Sequence, residues 1–591
     1  MDRGNRVAWG GALTLLLIAQ LGWVLAHFQP AVFGPDDHGY LLQARLLATV
    51  GQTGFAPESD LQYVGMHWYR TPSGGYHSHY PSGMPVAAAL LLLVGGIPAA
   101  LGVNVVLATV TLLGYALLAR SWFGRGWALA VTAVMAANPL LNAHTLTKDA
   151  HVAASCVVVW GFYLLRRWQE RPTPARAAVA GLVWGFLPAV RYPEALYLAA
   201  VPLALGLQPR VPGPAWRSWL AAGAGATLPL GALLWHDWVA YGGLLRTGYS
   251  LTHEQTAFSW GNLQAHLLPY LRSLQADGVG PLFPVAAAGL AGLCAARATR
   301  PQGLLLAVAL LPVTLLYMAY YWGGGPGPGA GGAGGAMRFL LPTFFLYVLA
   351  AAWVLQQAVR TWGRPAWAGT ALLLALQAGW GLPAAAAALG EARQSGALQS
   401  RAAAWLAARV PEGSPVVAWQ PLQDNLDLLA RWRLVDAAVL GGAPMPTGVP
   451  RPGRRQGWAL SGAPRPGSDG EAPVGPMAAP DQRRQRYRDL APGPRRAQVV
   501  ADLRAWAGEG ATVYWLAPAP ELRRQRQEAE GYGTLTVVDS LTVPERRMRG
   551  GPGLPGGPGP MGPGGPPGRP GPGPPTAGDS TRLLLAAWQL R

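Results

Sequence analysis

The feature that most limits this chain is a series of apolar runs between residues 7 and 385, separated by short polar joints. A bilayer core takes about 20 apolar residues per helix. Val7–Ala26 meets that length, and no small-residue cleavage site with a soluble domain follows, so it reads as a retained first span. Further candidates are Met84–Ala119, Trp127–Leu141, Ala150–Leu165, Ala175–Val190, Ala195–Leu207, Trp219–Trp235, Pro281–Ala296, Leu304–Tyr321, Phe339–Leu355 and Ala366–Leu382. Met84–Ala119 is too long for one straight span and is broken at Gly95-Gly96-Ile97-Pro98. It is taken as one net crossing, with Met84–Pro98 partly in the interface. The fold class is thus an α-helical polytopic membrane protein of roughly eleven crossings.

Arginine placement orients it. Cytoplasmic joints carry a basic excess. With Arg3 and Arg6 inside, every second joint is basic: Arg120 and Arg125; Arg166, Arg167, Arg171 and Arg176; Arg210 and Arg217; Arg297 and Arg300; Arg360 and Arg364. The alternate joints carry arginine more thinly, at Arg70, Arg191, Arg246, Arg272 and Arg338, and hold the histidines and most of the carboxylates. The acid–base groups therefore gather at one face, read as the outer one, and an odd crossing number puts residues 391–591 there too. The net charge of +18 then reflects topology and a basic extramembrane part, and no nucleic-acid partner is implied. Cys156 and Cys294 sit in apolar runs and indicate neither a disulfide framework nor a zinc site.

The first outer joint, 28–83, places Asp36 and Asp37 just after a membrane helix, where carboxylates are costly and need a reason. Tyr40–Val50 follows as an interfacial helix with Tyr40, Leu41, Ala44, Leu47 and Ala48 on one face. Either acid is placed to cap its start. The joint ends His77-Ser78-His79-Tyr80-Pro81-Ser82-Gly83-Met84-Pro85. His77 and His79 form an H-x-H pair, which alone is weak evidence for a metal. No metal or cofactor is assigned, although a divalent ion is compatible with the pair.

An acidic pair after the first span, an interfacial helix and a Tyr80-Pro81-x-Gly83-x-Pro85 entry to the next run resemble the GT-C glycosyltransferases. The resemblance is to the family 39 group that uses dolichyl- and polyprenyl-phosphate sugars, including protein mannosyltransferases and aminoarabinose transferases. It covers roughly residues 1–385. It implies a GT-C-like catalytic domain, a lipid-linked sugar donor, and a glycan, lipid or protein acceptor in a multi-pass plasma (inner) membrane enzyme. It also implies Asp36 as general base and inversion at the anomeric carbon. Asp37 stands where that family usually has Glu, and would orient the acceptor or the base. Asp149, in His144-Thr145-Leu146-Thr147-Lys148-Asp149, matches an acidic position of the family. Arg191-Tyr192-Pro193-Glu194 departs from its Arg-Pro-Glu by an inserted Tyr, and Arg338 opens an Arg-aromatic-Leu-x-Pro entry. Lys148 (the only lysine), Arg191 and Arg338 are the candidates for the donor phosphate, because charge develops there as the phosphate leaves. Asp149, His79, Tyr80 and Glu194 are candidates for the acceptor or for support of the site. Gly323–Gly335 lacks a phosphate-loop motif and reads as a loop over a donor cleft.

The C-terminal part, 391–591, reads as a small α/β extracytoplasmic domain with a partly parallel sheet. Strands are expected at Pro415–Trp419, Leu434–Val439, Thr512–Leu516, Thr534–Asp539 and Leu583–Gln589, and helices at Ala497–Gly508 and Pro520–Gly531. Loops rich in Pro and Gly are expected at 441–496 and 550–578, the second with Gly at every third position from Gly550 to Gly571. The rival reading is a transporter or flippase of lipid-linked glycans. It would favour ionisable groups at the midplane and an internal repeat, and neither is visible.

Overall fold

The computed structural model describes residues 3–206, 215–252, 254, 257–320, 333–436, 486–487, 490, 492–508, 510–529, 532–544 and 580–590. His253 and most of the expected loops at 323–335, 441–496 and 550–578 lie outside them. Among the described residues seven helices are long and apolar enough to cross a membrane. The number is eight if Arg125–Ala136 and Pro139–Leu146, bent by 60°, count as one span. The difference from roughly eleven has a physical cause. The expected runs at 175–190 and 281–296 form shorter helices, Pro174–Val190 and Gly280–Ala295. His151–Glu170 ends in Arg166, Arg167, Gln169 and Glu170, and the start of 195–207 is a 3-10 turn.

Helix Leu341–Trp362 is the centre of the helical body, with Phe344, Phe345 and Leu349 fully buried. The Tyr115 hydroxyl donates to its Phe345 carbonyl at 2.9 Å. Elsewhere backbones touch: a Cβ at Gly181 would meet the Ala222 carbonyl, and one at Gly225 the Ala178 carbonyl. Those glycines let helices Pro174–Val190 and Ala215–Tyr241 approach without side chains between them, the usual basis of close helix pairs in lipid.

The first helix, α1 (Arg3–Leu25), leads to α2 (Pro35–Val50). Proline at the first helical position and two acids in the first turn favour a start there, and Gly51, with φ 68°, ends it. Tyr40, Leu41 and Ala44 pack with Met84 and Ala88 of α3 (Gly83–Leu101). Leu42 packs on Val64, Trp68 and Tyr76 of the outer joint. That joint folds as a three-stranded antiparallel sheet of β1 (Gly54–Phe55), β2 (Trp68–Arg70) and β3 (Tyr76–Ser78), in the order β1-β3-β2. So α2 is covered on one side by α3 and on another by the outer joint.

The expected single run 84–119 is two helices, α3 and α4 (Val103–Phe123), each of span length. Gly95 and Gly96 break α3 internally, where the sequence placed its interruption. Asn104, in the first turn of α4, donates to the carbonyls of His144, Thr147 and Asp149 at 3.2, 3.0 and 2.9 Å. This fastens the start of α4 to the turn 147–150.

Helix Arg364–Ala407 runs 44 residues without interruption. The expected boundary at 385–391 falls inside it, and Leu398, Ala402, Ala403 and Leu406 already belong to the core of the C-terminal domain. That domain holds a five-stranded mixed sheet: β4 (Pro415–Ala418), β5 (Arg433–Val435), β6 (Thr512–Pro518), β7 (Gly533–Pro544) and β8 (Ser580–Leu590) in the order β5-β4-β6-β8-β7. The β5-β4-β6 side is parallel and the β6-β8-β7 side antiparallel. Helix Gln420–Leu429, between β4 and β5, was not foreseen; its proline, amides and carboxylates obscure the apolar face.

Candidate active site at the start of α2

Asp36 is half-buried in the first turn of α2, and three donors from distant segments meet its carboxylate. The Tyr80 hydroxyl donates to Oδ1 at 2.8 Å, His67 Nε2 lies 3.0 Å from Oδ1, and Arg338 Nη1 lies 3.4 Å from Oδ2. Burial alone would push the carboxyl up, but the Arg338 guanidinium and the His67 and Tyr80 donors hold it well below the usual carboxylate range.

The walls around it are aromatic and titratable. The Tyr80 ring stacks on Tyr40 at 4.3 Å. His67 stacks on His79 at 4.6 Å, and His79 meets Tyr249 edge-on at 5.4 Å. Burial, with His67 beside it, pushes the His79 imidazole well below the usual histidine range. Its Nδ1 faces Glu254 Oε1 at 3.9 Å, and burial pushes the Glu254 carboxyl up to about 7. Several polar atoms here are buried without a hydrogen-bond partner: His67 Nδ1, both ring nitrogens of His79, and Arg338 Nε. Unsatisfied buried donors and acceptors are rare and call for an explanation.

The adjacent carboxylate behaves differently. Asp37 accepts the Phe33 amide at 3.1 Å and the Lys148 amide at 2.8 Å, so it ties the first turn of α2 to the segment before it and to the turn 147–150. The Lys148 ammonium is buried, donates to the Ala31 carbonyl, and lies 3.8 Å from the centroid of the Phe33 ring. Burial raises the Asp37 carboxyl and lowers the Lys148 ammonium. Asp149 accepts from the Thr147 hydroxyl at 2.9 Å and pairs with His144 Nδ1 at 2.6 Å. Burial pushes it up, but His144 and His151 hold it below the carboxylate range. Asp37, Lys148 and Asp149 therefore make a buried polar group behind the start of α2.

Arg191 and Arg338 come together instead. Arg191 contacts Glu194 Oε1 at 3.0 Å, His151 Nδ1 at 2.6 Å and the Tyr317 hydroxyl at 3.1 Å. Its guanidinium lies 5.4 Å from the Phe339 ring centroid, and that of Arg338 lies 5.0 Å from the same ring. Two cations thus share one aromatic side chain next to Asp36. Glu194 is fully buried and serves as the counter-charge of Arg191.

Of the residues singled out from the sequence, Asp36, Tyr80, His79 and Arg338 converge; Arg191 and Glu194 border them; Asp37, Lys148 and Asp149 form a separate buried group. His67, Tyr249, Glu254 and Tyr317 were not singled out as site residues. His67 reaches Asp36 through the β2–β3 pairing of Trp68 with Ser78, a register that no local motif announces. His77 contacts Thr53 and Ser73, so it and His79 have different neighbours. Among the described residues no group of three or more His, Cys, Asp and Glu side chains is placed to hold a metal.

No family model and no curated protein matches the chain. Solved structures do. The crystal structure of ArnT from Cupriavidus metallidurans bound to undecaprenyl phosphate matches with a TM-score of 0.58 at 12% identity, covering 90% of this chain and 96% of that one. The apo form of that protein matches at 0.56 and 13%, covering 98% of each. The fold is therefore the GT-C-like one of those structures, a helical membrane body with a C-terminal domain containing a sheet.

Proposed function

We propose that the chain is a membrane glycosyltransferase that moves a sugar from a polyprenyl-phosphate donor to an acceptor hydroxyl, with Asp36 as general base. The observation that carries this is the Asp36 carboxylate, half-open beside two arginines that share Phe339. The shared fold with a protein crystallised with undecaprenyl phosphate supports a lipid-phosphate donor. The arginine alternation along the sequence supports a plasma-membrane orientation with this site and the C-terminal domain outside.

A hydroxyl is a weak nucleophile until a carboxylate takes its proton in the transition state. In the proposed step the acceptor oxygen bonds to the anomeric carbon as the bond from that carbon to the phosphate oxygen breaks. The proton passes to Asp36, and the bonding pair leaves on the polyprenyl phosphate. Attack opposite the leaving phosphate inverts the anomeric centre. Arg338 and Arg191 meet the negative charge that grows on the phosphate. Arg338 has a second effect. It pairs with Asp36 when no phosphate is present, and a phosphate competes for the same guanidinium. Donor binding thus relieves the influence that keeps Asp36 a poor base, so the base strengthens when the donor is in place.

The test uses purified full-length protein supplied with undecaprenyl-phosphate-linked sugars, with release of undecaprenyl phosphate as the readout. Asp36→Asn should slow release while undecaprenyl phosphate still binds. Equal release by both proteins would remove Asp36 from the chemistry.

A further inference from the structure

The side of α2 away from Arg338 is held by the C-terminal domain. His38, two residues after Asp36, is fully buried. Its Nε2 lies 2.8 Å from Asp427 Oδ2, and its Nδ1 lies 3.7 Å from Asp424 Oδ1. Both carboxylates come from helix Gln420–Leu429. The Tyr63 hydroxyl donates to Asp424 Oδ1 at 2.7 Å. Arg45, two turns further along α2, donates to the carbonyls of Asp427 and Leu428 at 2.7 and 2.8 Å, covering the last turn of that helix. Just before α2, the Val32 amide donates to Asn425 Oδ1 at 3.1 Å. The outer joint joins in. The Tyr63 amide donates to the Leu434 carbonyl at 2.9 Å and the Asp436 amide to the Leu61 carbonyl at 2.8 Å, so residues 61–63 pair with the edge of the sheet beside β5. Gly65, at φ 84°, lies against the His38 ring with no room for a Cβ.

We propose that the C-terminal domain is a positioning element for the base, and that His38, pinned between Asp424 and Asp427, is the positioning residue through which it sets the start of α2. This rests on Asp36 being the base. The two ring nitrogens face two carboxylates, and only the imidazolium offers a proton to each. A neutral ring has one N–H and gives up the attraction to one of these half-buried carboxylates, although Asp424 keeps the Tyr63 hydroxyl. The groups facing His38 are Asp424 and Asp427 from the C-terminal helix, Tyr63 from the outer joint and Arg45 from its own helix. Burial would push the imidazole down and Arg45 lowers it too, but the hydrogen bond to Asp427 and the charges of Asp424 and Asp427 raise it above the usual histidine value. A raised histidine contributes its full stabilisation below the unfolded value, and loses it as pH climbs through the folded one. The pin therefore loosens on the alkaline side. Since Asp36 and His38 share one helical turn, loosening moves Asp36 relative to Arg338 and Tyr80.

Hydrogen exchange in the full-length protein tests this without any transfer assay, so its outcome is independent of whether the chain moves sugars. Peptides covering 36–46 are followed from pH 6 to pH 9, corrected for intrinsic rate, with 341–362 as internal control. In wild type, protection of 36–46 should fall as pH rises. In His38→Gln and in Asp424→Asn/Asp427→Asn it should start low and show no pH step, while 341–362 stays protected. Where transfer is measurable, His38→Gln should lower kcat by about 10- to 100-fold, as expected for a displaced catalytic group, with KM for the donor unchanged. Wild-type protection that is flat with pH, or either variant matching wild type across the range, overturns the proposal. If a variant also loses protection at 341–362, the wild-type pH series decides.

Discussion

Two clusters of charge sit one residue apart in the chain and obey opposite rules. Around Asp36, donors come from three segments and several polar atoms, on His67, His79 and Arg338, are buried without partners. Around Asp37, the carboxylates accept backbone or side-chain donors and Lys148 donates to the Ala31 carbonyl. The second arrangement is what a buried polar network needs in order not to destabilise a fold. The first leaves capacity unused, which suits a site that a substrate completes. The contrast teaches that two adjacent acids can sit in opposite surroundings, one half-open among side-chain donors and the other buried on backbone amides.

The comparison breaks most readily at the two acids themselves. Asp36→Asn should lower turnover by about 10²–10⁴-fold with little change in thermal midpoint, whereas Asp37→Asn should lower the midpoint and spare donor binding. Equal effects of the two on turnover and on melting would erase the distinction. Lys148 offers the next largest effect. Lys148→Met removes one partner of a buried charge network and should cost about 3–5 kcal/mol of stability, read in chemical denaturation; an unchanged midpoint would mean that Lys148 is not structural.

Arg338 sharpens the functional side. Arg338→Gln should weaken undecaprenyl phosphate binding by the value of a charged hydrogen bond, about 1.5–3 kcal/mol. It should also move the acid limb of the pH–rate profile. Arg338 holds Asp36 down, so its removal raises that carboxyl, and the limb should shift to higher pH. A limb that stays in place would separate Arg338 from the base. The smallest effect belongs to the scaffold. Asn104→Ala strips a donor from three carbonyls and should cost about 1–3 kcal/mol of stability, with the pH–rate profile unmoved.

Much of the site could be read along the chain because its members stand next to strong local signals. Asp36 and Asp37 follow a membrane helix, Tyr80 stands before a proline turn, and Arg338 opens a late apolar helix. The apolar face of α2 was visible as well: Tyr40, Leu41 and Ala44 are buried together. His67 and Glu254 had no such marker. Each enters the site through a contact between segments far apart in sequence, and a polar residue in a loop looks the same whether or not it makes one. The span count differs for a related reason: apolar length says that a segment avoids water, and several of the expected runs form helices shorter than a span.

Composition and periodicity therefore determined that the chain is a helical membrane protein, which face of α2 turns inward and that a sheet-bearing domain follows. These follow from local rules of helix length, capping and alternation that each segment carries by itself. Tertiary structure alone decided that Asp36 meets donors from three distant segments while Asp37 accepts two backbone amides. It also decided that Lys148 is buried against Ala31 and Phe33 and that the C-terminal domain contacts α2 at His38. The protonation and exposure of a side chain depend on the charges and solvent around it, and those neighbours are supplied by packing between distant segments.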